Sequence, residues 1–199
     1  MKNAISVLLL CLGAAFVSAQ ETLSFGPVAG ANFSRLSDIG GGVDVEFKPG
    51  LVAGGQLTYS NVNNWGIGAA VLYSREGVKT DNQDVETKTN LTYIRVPLKG
   101  YFFFRDNDDN FRPKIFAGPS FGILLDADSK TGEVETDLGD VYSTFDLGLT
   151  AGAGLNARIV EGTWFNLDIG YTYGLLDVAE NADGSNRGIA VTAGVAFGF

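Results

Sequence analysis

Residues 91–104 read LTYIRVPLKGYFFF. A β-strand sends alternate side chains to opposite faces. The even positions, Thr92, Ile94, Val96, Leu98, Gly100, Phe102 and Phe104, form a mostly apolar face that ends in phenylalanine. The odd positions, Leu91, Tyr93, Arg95, Pro97, Lys99, Tyr101 and Phe103, carry two cations and two tyrosine hydroxyls. A soluble sheet buries its apolar face, whereas a transmembrane barrel turns that face to lipid. This stretch alone fits both, and its neighbours in the chain decide.

Seven further segments alternate in the same way: 23–36, 50–60, 65–74, 111–125, 143–159, 163–175 and 188–199. The sixth in chain order sets Phe145, Leu147, Leu149, Ala151, Ala153, Leu155 and Ala157 against Thr144, Asp146, Gly148, Thr150, Gly152, Gly154, Asn156 and Arg158. The connections alternate long and short. Polar stretches 37–48, 76–90, 126–140 and 177–187 are read as long loops, and 61–64, 105–110 and 160–162 as tight turns. Antiparallel strands then gather the long loops at one end, the asymmetry of outer-membrane barrels. The outward aromatics fall into two sets. Phe25, Tyr59, Trp65, Phe104, Phe111, Phe165, Phe197 and Phe199 lie toward the short turns, and Phe33, Tyr73, Phe121, Phe145 and Tyr173 toward the long loops. Two such girdles are expected at two lipid–water boundaries. Segments of 10 residues or more meet the ~9–11 needed to cross a bilayer. The competing fold is a soluble eight-stranded barrel with its apolar face turned inward around a ligand. The girdles and the loop alternation favour the other choice, an all-β, eight-stranded, antiparallel up-and-down transmembrane barrel.

The N-terminus fits an exported chain. Lys2, the apolar run 4–17 and the small residues Val17-Ser18-Ala19 predict a signal peptide over 1–19, with the barrel domain over 20–199. The apolar run is too short for a spanning helix. The only cysteine, Cys11, lies inside it, so the mature chain is expected to have no disulfide, thiol nucleophile or thiolate metal site. Cleavage leaves 13 cations against 23 acids, a net charge of −10. That balance argues against nucleic acid as a partner. Gly is 27 of 199 residues, about twice the usual share, and many of these glycines fall on the inward face.

Four stretches, FGPVAGANFSRL (25–36), YIRVPLKGYFFF (93–104), KIFAGPSFGILL (114–125) and FNLDIGYTYGLLDV (165–178), in this order and spacing, resemble the PorT-like outer-membrane β-barrel family of Bacteroidetes. The resemblance implies an eight-stranded barrel in the outer membrane of a Gram-negative bacterium. Family members commonly place an acid where this chain has Arg95 and a base near Gly170, so their lumenal ion pair does not carry over. The closing residues Thr192 to Phe199, with Gly194, Phe197 and Phe199, resemble the C-terminal signal read by the barrel-assembly machinery.

The chain contains no histidine, the commonest general base and metal ligand. No enzyme activity and no cofactor are expected. Asp146 and Asp168 face inward on neighbouring strands and formally allow carboxylate chemistry. Charge balance with Arg95, Lys99 and Lys114 is the simpler reading, because an unpaired charge in a narrow lumen is costly. These five residues form the predicted lumenal charge network. Asp126 to Gly132 (DADSKTG) has calcium-loop composition, but loop position 6 is Thr131 and position 12 is Asp137, where an EF-hand needs Gly and Glu. Besides an outer-membrane enzyme, which the missing histidine disfavours, two roles stay open. One is structural or surface interaction, with the long loops meeting a surface or secretion-system partner. The other is a narrow porin, for which inward Gly148, Gly152, Gly154, Gly194 and Gly198 would leave room for water, although eight strands normally enclose only side chains.

Overall fold

The structure, a computed structural model, describes residues 22–36, 44–61, 63–82, 85–106, 108–132, 134–139, 141–179 and 182–198. The strands are β1 (Thr22–Leu36), β2 (Asp44–Ser60), β3 (Trp65–Asn82), β4 (Val85–Phe103), β5 (Phe111–Thr131), β6 (Val134–Asp137), β7 (Phe145–Val160), β8 (Thr163–Ala179) and β9 (Ala182–Gly198). Leaving β6 aside, neighbours in sequence pair antiparallel, β5 with β7 among them, and β1 pairs with β9 to close the cylinder. β6 is a short strand that pairs only with Asp128–Thr131 of β5. The wall is therefore an eight-stranded closed antiparallel barrel, as the alternation predicts. Closure removes the open edge that would leave backbone groups unpaired in lipid.

Exposure follows parity around the wall. Trp65, Ile67, Leu98, Ile115, Leu149 and Ile169 are exposed, while Arg95, Arg112, Lys114, Asp146 and Asp168 are buried. This is a soluble fold turned inside out. Toward the short turns, Phe25, Trp65, Phe104, Phe111 and Phe197 are exposed on the outer face. Phe25 meets Phe197 at 6.3 Å between centroids, and Trp65 and Phe104 both meet Phe102, at 5.1 and 5.4 Å. Toward the other end, Phe33, Tyr73, Phe145 and Tyr173 are exposed. The tight turns use local chemistry. Asn64 takes φ +66°, and the Asn61 side-chain oxygen accepts from the N–H groups of Asn63 and Trp65. Gly162 supplies φ +72° in the turn between β7 and β8.

The polar stretches at the long end differ from the expectation of loops. β3 continues to Asn82 and β4 starts at Val85, so most of 76–90 is paired strand. β5 likewise runs to Thr131, β8 to Ala179, and β9 begins at Ala182. The wall rises past the upper aromatics because cross-strand polar pairs hold it there. Asn90 donates to Asp128 at 2.6 Å, and the Thr87 and Thr131 hydroxyls lie 2.9 Å apart. Asp126 and Asp128 are thus strand residues, not a cation-binding loop. No helix among the described residues is long and apolar enough to cross a membrane. The expected signal segment and Phe199 lie outside the described residues.

Candidate functional site

The inward face of the barrel carries four layers. Nearest the long end is an apolar layer of Leu36, Val78, Leu91, Tyr93, Ala127 and Val178, against which Leu124, Leu138 and Tyr142 pack. Leu138 and Tyr142 belong to the segment between β6 and β7. That segment is tied down where the Leu138 N–H donates to the Ala127 carbonyl and the Ser143 N–H to that of Val178.

Beneath this layer sits the first ion cluster. Arg95 of β4 donates to Glu76 through Nε at 2.7 Å and Nη2 at 2.5 Å. Its Nη2 also lies 2.7 Å from Asp146 of β7. Glu76 accepts two more bonds, from Ser74 at 2.9 Å and Asn186 at 2.8 Å, and Asn32 donates on to Ser74. The guanidinium lies over the Tyr93 ring, 4.5 Å from its centroid. The cluster joins β1, β3, β4, β7 and β9 across the lumen. Such a web fixes each side chain in one geometry, which isolated surface pairs do not.

Further toward the short turns lies the second cluster. Lys114 of β5 approaches Asp168 of β8 at 2.8 Å, and Lys99 of β4 approaches it at 3.6 Å. The two ammonium groups also rest on aromatic faces, Lys99 on Phe116 at 4.2 Å and Lys114 on Tyr101 at 5.0 Å. The last layer is aromatic, with Tyr101, Phe103 and Phe116 packed together. Arg112 lies 4.0 Å from the Phe103 centroid, and donates to the Ser60 hydroxyl and the Arg105 carbonyl.

The five predicted residues are therefore all inward, but they divide into two groups. Arg95 and Asp146 sit in one, Lys99, Lys114 and Asp168 in the other. Asp146 and Asp168 do not share a cation, so the two acids form no catalytic pair. Sequence reasoning missed Glu76, having placed it in a loop. With it, three acids balance three cations, one cluster carrying a formal −1 and the other +1.

The inward glycines also change meaning. Gly122 is paired with Arg95 in register, and a methyl group there would stand 2.6 Å from Arg95 Nη1. At Gly154 it would collide with Asp168 Oδ1, and at Gly152 it would stand 2.6 Å from the Phe116 ring. These glycines are seats for charged and aromatic side chains, so their space is filled by protein rather than water. A cavity of about 110 Å³ remains beside the clusters, lined by Asn32, Val52, Gln56 and Leu72 of β1, β2 and β3 and by Ser120 and Thr150 of β5 and β7. That volume holds on the order of seven to eleven waters at roughly 10–15 Å³ each.

Residues 18–180 match the family model of the outer membrane protein beta-barrel domain. Among curated proteins none matches the chain. Three similar solved structures share the fold. The outer membrane protein OprG of Pseudomonas aeruginosa is 14% identical at a TM-score of 0.57, covering 91% of this chain and 96% of its own. Outer membrane protein W of E. coli is 17% identical at 0.54, covering 92% and 100%. Neisserial surface protein A is 18% identical at 0.53, covering 88% and 97%. With its apolar wall, twin aromatic girdles and charged interior, this chain belongs to the outer membrane protein beta-barrel domain family and resides in the outer membrane.

Proposed function

We propose that the protein is a closed, non-catalytic barrel of the PorT-like type whose work is done at its long-strand end, outside the cell. The observation that carries this reading is the filling of the lumen at two levels. The Leu91–Tyr93 layer and the Tyr101–Phe103–Phe116 layer bracket the ion clusters, and both leave their residues almost without exposure. A porin needs a continuous water path, and here Phe103 with Arg112 and Leu91 with Tyr93 occupy it. The strand extensions beyond the upper aromatics supply a rigid platform instead, with Glu135 and Asp137 of β6 exposed upon it. On this reading a surface or secretion-system partner meets the platform. Residues 1–19 act as a cleaved export signal. Gly194, Phe197 and Phe199 present the assembly signal to the barrel-assembly machinery.

The mature chain of residues 20–199 has no cysteine of its own, which makes access directly measurable. Ser120 lines the cavity and is 5% exposed, and Ser120→Cys is nearly isosteric. In the folded, membrane-inserted protein this thiol is expected to stay unmodified by a water-soluble maleimide and to react fully after unfolding. Opening the lower layer with Phe103→Ala plus Arg112→Ala should make it reactive in the folded state. Rapid labelling of the single variant would favour the porin reading.

A further inference from the structure

The charges inside the barrel do not sum to zero. Arg95, Arg112 and Lys114 are buried and Lys99 is nearly so, against Glu76, Asp146 and Asp168. Four cations face three acids, and the excess is unevenly placed. Arg95 lies between Glu76 and Asp146, so the half of the lumen toward the long end is negative. In the other half Asp168 alone serves both Lys99 and Lys114. Arg112 forms no ion pair among the described residues and is held instead by the Ser60 hydroxyl, the Arg105 carbonyl and the Phe103 ring. In the adjacent turn Asp106 and Asp108 are exposed, and Asp109 pairs with Arg105. An uncompensated charge in surroundings of low dielectric is costly.

The cavity beside the clusters meets this positive half at Lys99. Lys99 is the looser of the two lysines, 3.6 Å from Asp168 where Lys114 is at 2.8 Å. An ammonium has three donors, so Lys99 keeps some for a second acceptor. Gln56, which also lines the cavity, has a spare donor as well. Its Nε2 is buried without a hydrogen-bond partner among the described residues. Gln56 is in register with Ala70 and Lys99 with Gly68, so only small residues of β3 separate the two side chains. The hydroxyl-bearing Ser120 and Thr150 border the same space. Two carboxylates line it too, but both are engaged, Asp168 by Lys114 and Glu76 by Arg95, Ser74 and Asn186.

We infer that the cavity holds one small monovalent anion of halide size against Lys99 and Gln56. The charge sets the valence. One negative charge cancels the excess, whereas a dianion would leave the interior negative. The space sets the size, because about 110 Å³ accepts an ion comparable to a water, whose share of liquid volume is ~30 Å³, and refuses a bulky organic acid. The negative cluster around Glu76 and Asp146 keeps the anion at the Lys99 end. The site itself is independent of the surface role proposed above, and only the trapping of the ion rests on the lumen being closed at two levels.

The test refolds residues 20–199 in detergent with chloride, bromide, sulfate or gluconate at equal ionic strength. Chloride and bromide should raise the unfolding temperature in a saturable way, and gluconate should not. Anomalous diffraction from crystals of the bromide-refolded protein should place a bromide beside Lys99 Nζ and Gln56 Nε2. Lys99→Met leaves Lys114 on Asp168, so it should fold, but it should need on the order of tenfold more bromide for half of the stabilisation, the loss of a charge-assisted hydrogen bond. Gln56→Leu removes a neutral donor and should need roughly threefold more. It alters no charge, and so keeps the test decisive should Lys99→Met not fold. An unshifted bromide response in either folded variant would overturn the site, as would a cavity without bromide density. Stabilisation that never saturates and is largest in sulfate would mark general salt exclusion and overturn it too. A bromide response gained at once by the already folded barrel would support the site and contradict the closed lumen, which keeps the two failures apart.

Discussion

Replacing Arg95 by alanine is expected to lower folding stability by about 3–5 kcal/mol, the usual cost of stripping one partner from a buried ion cluster. The side chains of Arg95, Glu76 and Asp146 are 7%, 10% and 1% exposed, so water cannot replace the lost cation. Glu76 would keep Ser74 and Asn186 as donors, whereas the salt bridge to Arg95 is the strongest contact seen for Asp146. The damage should therefore fall mostly on Asp146. Urea unfolding in lipid or detergent, read by the fluorescence of Trp65 and Trp164, measures it. The combined variant Arg95→Leu, Glu76→Gln, Asp146→Asn should recover most of the loss, because buried ion clusters can be replaced whole at little cost. An Arg95→Ala protein as stable as the parent would mean that water reaches this cluster and that the lumen is open.

The second large effect is expected at Asp168. Asp168→Ala leaves Lys99 and Lys114 near each other without an anion, again at a cost of about 3–5 kcal/mol. The two lysines are not equivalent. Lys114 is 5% exposed at 2.8 Å from the carboxylate, and Lys99 is 18% exposed at 3.6 Å. Adding Lys114→Met to Asp168→Ala should thus restore more stability than adding Lys99→Met, and a double-mutant cycle separates the two couplings. Equal rescue by both would contradict the distances.

The chain shows its fold plainly because the wall depends on one simple period. In residues 94–104 and 145–157, nearly every second residue is apolar, and those residues prove to be the lipid face. The charges within such alternating runs, Arg95, Lys99, Lys114, Asp146 and Asp168, were legible for the same reason. Glu76 was not. It follows Ser74 and Arg75 and opens a polar run, so its composition suggests a loop. The inward even positions Ala70, Leu72 and Ser74 point to it if the alternation is carried one step further. Gly77 at φ +134° then breaks the period and hides the continuation of β3. The inward glycines misled in the opposite direction. A missing side chain reads as space in a sequence, yet at Gly122, Gly152 and Gly154 the space belongs to Arg95, Phe116 and Asp168 from neighbouring strands. Such claims on volume are long-range and leave no local mark.

The central claim is that a membrane-spanning barrel encloses a lumen closed at two levels. Planar-bilayer recording of refolded residues 20–199 tests it most directly, once heat-shifted gel mobility has established the folded barrel. The expected result is insertion without steady single-channel current, with current appearing in the Phe103→Ala plus Arg112→Ala variant only if the upper layer around Leu91 and Tyr93 is opened as well. Steady channels in the unaltered protein, with ion selectivity that reverses on Lys99→Glu, would contradict it and establish a charge-lined pore.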